Sequence, residues 1–277
     1  MTQKAVVLAR GLGTRMQREA EGVPLSEEHL RAARAGQKAL MPLLGRPMLD
    51  YVVDSLLQAG LRHVCLVIAP EADAMRQAAR RIQAAAAAAG ARIECAVQQD
   101  PRGTADAVLA AEDFAAGDAF VVCNGDNLYP WAALRQLAGI EDDDCRAVAF
   151  ERDALLRHSN IAPERIRAFA AMTVSEDGRL TGIVEKPPDP ERYAREGRLW
   201  VNMNLYRFVP AVFDACRSIE PDPVRGELEL TAAVAELVRR GRPAFRVVFS
   251  EEGVLDLTSR ADISGAERAL ADRRLSF

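Results

Sequence analysis

Histidine is scarce in this chain: three stand among 277 residues, at His29, His63 and His158, and all fall outside the motifs described below. They read as surface or structural residues. The five cysteines (Cys65, Cys95, Cys123, Cys145, Cys216) are odd in number, scattered, and include no Cys-x-x-Cys pair. That speaks against a disulfide framework or a thiolate metal site; they read as reduced, mostly core residues. Long apolar runs are missing as well, since no segment approaches the roughly 18 consecutive apolar residues that span a bilayer. The apolar stretch Ala5 to Ala9 is too short for a signal-peptide core, so a cytoplasmic location and no membrane partner are expected. Nor is there a basic excess. A formal net charge of −4 argues against nucleic acid as a partner, so any phosphate chemistry must rest on a few placed cations.

What is present is a regular alternation. Short runs rich in Val, Ile and Cys (Ala5 to Ala9, His63 to Ile68, Ile93 to Val97, Ala119 to Cys123, Ala147 to Phe150) read as strands, and segments of helical period separate them. This is the pattern of an α/β fold with a mainly parallel sheet covered by helices. Leu49, Val52, Val53, Leu56 and Leu57 define one helix, opened by Pro47 and closed by Gly60. The Ala- and Arg-rich stretch Glu71 to Ala89 defines another. After Phe150 the alternation ends. Phe169 to Val174 and Arg179 to Val184 read as a hairpin about Asp177-Gly178, followed by a strand at Trp200 to Phe208. These predict a smaller β-rich lobe against the first sheet. Helices at Pro210 to Ile219 and Leu228 to Arg240 follow, then strands at Ala244 to Phe249 and Val254 to Leu257. Ser259 is the expected cap of a final helix through Leu270. No segment resembles a flexible linker, so one domain over residues 1–277 is expected.

The first strand runs into Arg10-Gly11-Leu12-Gly13-Thr14-Arg15. Glycines at a strand end let backbone N–H groups face an anion, and the arginine adds bidentate contacts to phosphate oxygens. Two familiar phosphate loops are excluded by spacing. The dinucleotide fingerprint needs a glycine where Met16 stands, and Gly-Lys-Ser/Thr is absent. Lys38 precedes the Pro-bounded segment Ala39-Leu40-Met41-Pro42; alone it would read as a surface charge.

Together, Leu8-Ala9-Arg10-Gly11-Leu12-Gly13-Thr14-Arg15 and Lys38-Ala39-Leu40-Met41-Pro42 resemble the signature of the sugar-1-phosphate nucleotidylyltransferases. Later blocks agree in order: Gln98 to Val108, Asn124-Gly125-Asp126-Asn127, Val184-Glu185-Lys186-Pro187, Val201 to Tyr206, Arg225 to Thr231 and Leu255-Asp256-Leu257-Thr258. The resemblance implies a Rossmann-like three-layer α/β/α fold and transfer of a nucleotidyl group from a nucleoside triphosphate to a sugar 1-phosphate, releasing pyrophosphate with Mg²⁺ as cofactor. About residues 1–150 would bind the nucleotide; about 151–277 would bind the sugar phosphate and return to the sheet.

By the same resemblance, Leu8, Ala9, Gly11, Gly13, Thr14, Gln98, Gly103, Thr104 and Gly125 line the nucleotide site. Arg15 and Lys38 hold the triphosphate, and Lys186 the sugar's phosphate. Glu185 and Asn202 contact sugar hydroxyls, and Asp126 and Asp256 hold the metal, which favours one or two carboxylates with phosphate and water oxygens. Gln98, five positions before Gly103, favours UTP or dTTP, because a carboxamide complements the N–H and C=O edge of uracil or thymine. Cytidylyl or guanylyl transfer to another phosphorylated metabolite, or a non-catalytic regulator, are the alternatives. A homo-oligomer is compatible with the family.

Several positions depart from the family pattern. Arg10 replaces a small residue, Ala170 and Asn204 replace common glycines near the sugar, and Gln17 to Gly36 is inserted before Lys38. Ser26 opens a short helix within that insertion, either a lid or a solvated decoration. The chain also ends soon after the Asp256 block, so an appended β-helix or acyltransferase module is not expected.

Overall fold

A computed structural model describes residues 1–11, 13–17, 26–34 and 37–277. Among these, nine strands join one sheet: β1 (Lys4–Leu8), β2 (His63–Ile68), β3 (Arg92–Val97), β4 (Phe120–Asn124), β5 (Cys145–Glu151), β6 (Ala171–Val174), β7 (Leu180–Val184), β8 (Trp200–Phe208) and β9 (Phe245–Ser250). The apolar runs become strands because both faces of the sheet are covered. Ala5 and Val7 enter one core and Val6 the other, as the two-residue side-chain period requires. Helices Met48–Gln58, Asp73–Ala86 and Trp131–Ala138 pack on the first core. Thr104–Leu109, Ala211–Ser218 and Leu230–Arg240 pack on the second.

From one edge the order is β3-β2-β1-β4, all parallel, and then β8, antiparallel to β4. There the sheet forks. The C-terminal part of β8, Tyr206 to Phe208, pairs with β4, whereas Trp200 and Val201 pair with β6 of the β6–β7 hairpin. Its other edge is lined by β5, which in turn carries β9 in parallel. The register of β8 against β5 shifts between Asn202 and Tyr206, and Asn204 within that break has φ +56°.

The hairpin, its turn at Gly178 and the two predicted late helices form as the sequence reading expects. Other features differ. The β-rich lobe is continuous with the main sheet, because β5, β6, β8 and β9 hydrogen-bond into it. Two helices, Arg152–His158 and Pro163–Arg167, precede the hairpin. The final helix, Asp262–Leu270, is tied down at the Asp262 carboxylate, with Ser259 as a donor to it instead of the cap: Asp262 Oδ2 accepts from the backbone N–H of Thr258 (3.0 Å) and Ser259 (2.7 Å) and from the Ser259 hydroxyl (3.1 Å). Cys95 is exposed; the other four thiols are buried, and burial pushes those of Cys65, Cys123 and Cys216 up to about 12. Ser26 does open a helix, Glu27–Arg34, its Oγ accepting from the His29 N–H at 3.1 Å. Leu12 of the glycine motif and residues 18–25 and 35–36 of the insertion, on which the lid reading depends, lie outside the described residues.

Candidate active site

β1 and β4 are parallel neighbours, and the loops leaving their C-terminal ends open a crevice where the chain passes to opposite sides of β1. Gly125 closes the two loops together. Its N–H donates to Leu8 O at 2.9 Å, and a Cβ there would meet that oxygen at 3.2 Å and Ala9 Cβ at 3.3 Å. Beside this junction lies a cavity of about 440 Å³. Leu8, Ala9, Gly11, Gly13 and Thr14 line it from the first loop, Gln98, Gly103 and Thr104 from the segment after β3, and Gly125 from the end of β4. Residues marked in three separate blocks of sequence therefore border one space.

A second cavity, of about 330 Å³, opens at the fork of the sheet. Glu185, Lys186, Asn202 and Asp256 line it, as does Arg15, which the sequence reading placed on the triphosphate with Lys38. The two cavities share a wall of Lys38, Asn124, Asp126 and Asn204. Across that wall Lys38 Nζ donates to Asp126 Oδ2 at 2.7 Å, with both side chains largely shielded from solvent. An ammonium and a carboxylate thus stand between two spaces of substrate size, one floored by glycines and the other by cations.

Gln98 is almost fully buried, and its carboxamide is oriented by its partners. Nε2 donates to Gly103 O at 3.0 Å and to Asp106 Oδ2 at 2.9 Å. Both partners are acceptors, so the amide nitrogen must face them and Oε1 is left to accept. The sequence reading gave the carboxamide both roles toward a base; the structure reserves the acceptor alone. Gly103 sits where no other residue fits, at φ +117° with the Leu228 carbonyl oxygen 2.5 Å from where a Cβ would be.

Asp126 and Asp256 meet through a two-stranded ribbon that pairs Leu255 with Leu128 and Asp256 with Asn127. Leu257 N–H donates to Asp126 O at 2.9 Å. Each carboxylate has a cation from elsewhere: Lys38 on Asp126, and Arg165, one Nη of which donates to both Asp256 oxygens at 2.7 and 2.6 Å while the other donates to Asp262 at 3.2 Å. Burial and then the nearby Asp126 charge push the Asp256 carboxyl above its ordinary range, against the Arg165 pairing. On the same ribbon the buried Asn127 Nδ2 has no hydrogen-bond partner among the described residues. Two crowded carboxylates bearing only oxygen donors fit a hard divalent cation. Among the described residues no third His, Cys, Asp or Glu joins them, so substrate or water oxygens would have to complete a magnesium shell.

Asn202 is engaged inside the fork. Its Oδ1 accepts from Asn204 N–H at 3.1 Å and its Nδ2 donates to Asn204 Oδ1 at 2.9 Å, which pins Asn204 in the left-handed conformation that asparagine tolerates. Glu185 is exposed at the mouth of the second cavity, and the protein around it removes part of its hydration. That partial desolvation raises its carboxyl pKa, with the Thr231 hydroxyl opposing. Three arginines were missed by the sequence reading: Arg165, Arg225, which lines the second cavity, and Arg260, whose guanidinium donates to Met16 O and Gln17 O at 3.0 Å each and so anchors the short helix carrying Arg15. Arg225 lies inside a recognised block and was open to notice. The others lie 91 and 243 residues or more from their partners, with no local signal.

The nucleotidyl transferase family profile matches residues 4–272. A glucose-1-phosphate thymidylyltransferase of Streptomyces griseus is 32% identical over 89% of this chain and 60% of its own length. A UTP–glucose-1-phosphate uridylyltransferase of Haloferax volcanii is 27% identical over 86% of this chain and 85% of its own. The chain spans about three-fifths of the length of the first curated relatives it matches. Among solved structures, a UDP-glucose pyrophosphorylase complexed with UDP-glucose superposes with a TM-score of 0.73, covering 99% of this chain and 100% of that one at 18% identity. An inositol-1-phosphate CTP transferase of T. maritima superposes at 0.71, with 98% and 95% covered at 16% identity. Both likenesses concern the fold.

Proposed function

Because the chain belongs to the nucleotidyl transferase family, we propose that it transfers a uridylyl or thymidylyl group from the nucleoside triphosphate to a sugar 1-phosphate and releases pyrophosphate. The observation that carries this reading is the shared wall between the two cavities. Lys38 and Asp126 stand where two anions entering from opposite sides would meet. A sugar-phosphate oxygen attacks the α-phosphorus in line, the new P–O bond forms as the bond to pyrophosphate breaks, and the protein's task is to position the groups and neutralise charge. In the first cavity, Leu8, Ala9, Gly11, Gly13, Thr14, Thr104 and Gly125 bound the nucleotide, and Gln98 Oε1 accepts from uracil or thymine N3–H. Cytosine has no N–H at that position, so the fixed carboxamide disfavours CTP.

In the second cavity Lys186, Arg15 and Arg225 hold the sugar's phosphate, Glu185 accepts from its hydroxyls, and Asn202 keeps the fork in shape. Asp126 and Asp256 would hold Mg²⁺, which supplies charge neutralisation at the phosphates when bound. Lys38, paired with Asp126 in the free protein, is placed to neutralise an incoming phosphate. The nucleotide side draws mainly on residues before about 150 and the sugar side on those after it, all within one domain.

Pyrophosphate release measured over a grid of UTP, dTTP, CTP and GTP against several sugar 1-phosphates and inositol 1-phosphate, with Mg²⁺, tests the reading. Release with UTP or dTTP and a sugar 1-phosphate is expected. Release confined to CTP would overturn the role of Gln98, and release confined to inositol 1-phosphate would overturn the sugar acceptor. No release with any pair would remove the activity itself.

A further inference from the structure

Arg10 stands where the family has a small residue, and its side chain does something a small residue cannot. It follows β1, and β2 lies between β1 and β3. Ala9 N–H bonds Val67 O on one side of the β2 end, and Gln98 N–H bonds Ile68 O on the other. Two strand spacings, about 10 Å, separate the flanking chains. The half-buried Arg10 side chain bridges this gap: Nε donates to Gln98 O at 2.8 Å and an Nη donates to Gln99 O at 3.0 Å. Bonds from a cation to two adjacent carbonyls are the stronger, geometrically specific kind. They hold the backbone of the residue whose side chain is fixed at its other end by Gly103 O and Asp106. Gln98 is thus clamped at both ends in the wall of the first cavity, which Arg10 itself also lines.

We infer that Arg10 is a positioning residue for base recognition: its guanidinium fixes the Gln98 backbone and, through it, the carboxamide oxygen that meets the base. The inference rests on the nucleotide site proposed above, not on turnover. A direct role on phosphate is the competing possibility, because one guanidinium nitrogen has no partner among the described residues. The two differ in how Arg10 couples to Gln98. A residue acting through Gln98 loses its effect once that carboxamide is gone, whereas a phosphate contact acts on every nucleotide and adds independently.

The test is calorimetric titration with UTP, dTTP and CTP of the full chain and its Arg10→Ala, Arg10→Lys, Gln98→Ala and doubly substituted variants. KM for the sugar 1-phosphate and thermal midpoints are measured in parallel. Arg10→Ala is expected to weaken UTP and dTTP binding about tenfold, the size of one well-placed hydrogen bond, and to narrow their preference over CTP. Sugar-phosphate KM should stay within about twofold, Arg10→Lys should recover part of the loss, and Arg10→Ala should add little to Gln98→Ala. Unchanged UTP affinity would overturn the inference. So would an equal loss for all three nucleotides that adds fully to Gln98→Ala. Binding is read without catalysis, so a chain that binds UTP but releases no pyrophosphate refutes the activity and leaves Arg10 to be judged by the same titrations.

Discussion

At the scale of single residues, the second cavity separates charge that binds from charge that is held in reserve. Lys186 follows the end of β7 at φ +41° and lines that cavity but not the first. Lys186→Ala is therefore expected to raise the sugar-phosphate KM by about tenfold or more while moving the nucleotide KM little, as loss of a charged contact implies. The reverse pattern in steady-state kinetics would mean the two phosphate sites are exchanged. Glu185 adds a pH dependence. Partial desolvation lifts its carboxyl above the ordinary 4.5, so the ionised form is disfavoured in the folded protein, by an amount that solvent at this exposed side chain keeps small. The cost to stability is absent below 4.5 and grows as pH rises through the raised value. The sign for binding is opposite: as pH falls through that value, the anionic acceptor is lost and the sugar-phosphate KM rises. Glu185→Gln should remove this acid limb from the pH profile of KM, and an unchanged limb would assign it to another group.

At the scale of elements, the helix Met48–Gln58 shows where pattern suffices and where it fails. Its boundaries were legible because Pro47 and Gly60 punctuate an apolar stripe, and the strands were legible because burial on both faces leaves continuous runs of Val, Ile and Cys. Yet Asp50 and Asp54 in the same helix are also fully buried, which no periodicity indicates. Asp50 is satisfied by a bidentate Arg81 at 2.9 and 2.6 Å, from the neighbouring helix Asp73–Ala86. Removing Arg81 leaves this buried carboxylate, among the described residues, with only Arg46, whose Nη stands 3.6 Å away without a hydrogen bond, a loss of about 3 kcal/mol, the lower end for a broken buried pair. Urea unfolding of Arg81→Met should show a loss of that size, and adding Asp50→Leu should restore most of it. Equal losses in the single and double variants would show that packing, not the charge, dominates. The short helices Arg152–His158 and Pro163–Arg167 were illegible for a related reason. They bury only Ala154, Leu155 and Ile166, too few for a stripe, and the value of the second is to present Arg165 to Asp256. The blocks bordering the two cavities could be recognised locally, but the partners that orient Gln98 and Asn202, and the bridge made by Arg10, depend on which strand ends become neighbours.

At the scale of the whole molecule, the question is whether the nucleotide and sugar parts are one folding unit. β8 belongs to the later part of the chain, yet it pairs with β4 of the earlier part, and the ribbon carrying Asp256 pairs with residues 127 and 128 beside Asp126. The proposed metal pair and the shared wall exist only when both parts are folded and joined. Such interleaving predicts one cooperative transition, since neither part keeps a closed sheet edge without the other. The chain's two tryptophans permit a direct test. Trp131 lies in the earlier part, 4.9 Å over the Arg135 guanidinium, and Trp200 begins β8 with its ring 4.5 Å from that of Phe249. In Trp131→Phe and Trp200→Phe variants the remaining indole reports one part alone. Their urea midpoints, each compared with the circular dichroism midpoint of the same variant, are expected to coincide with it. An earlier transition at Trp200, with Trp131 still native, would show that β8 and its hairpin detach as a separate unit. The sugar cavity would then open independently of the nucleotide cavity.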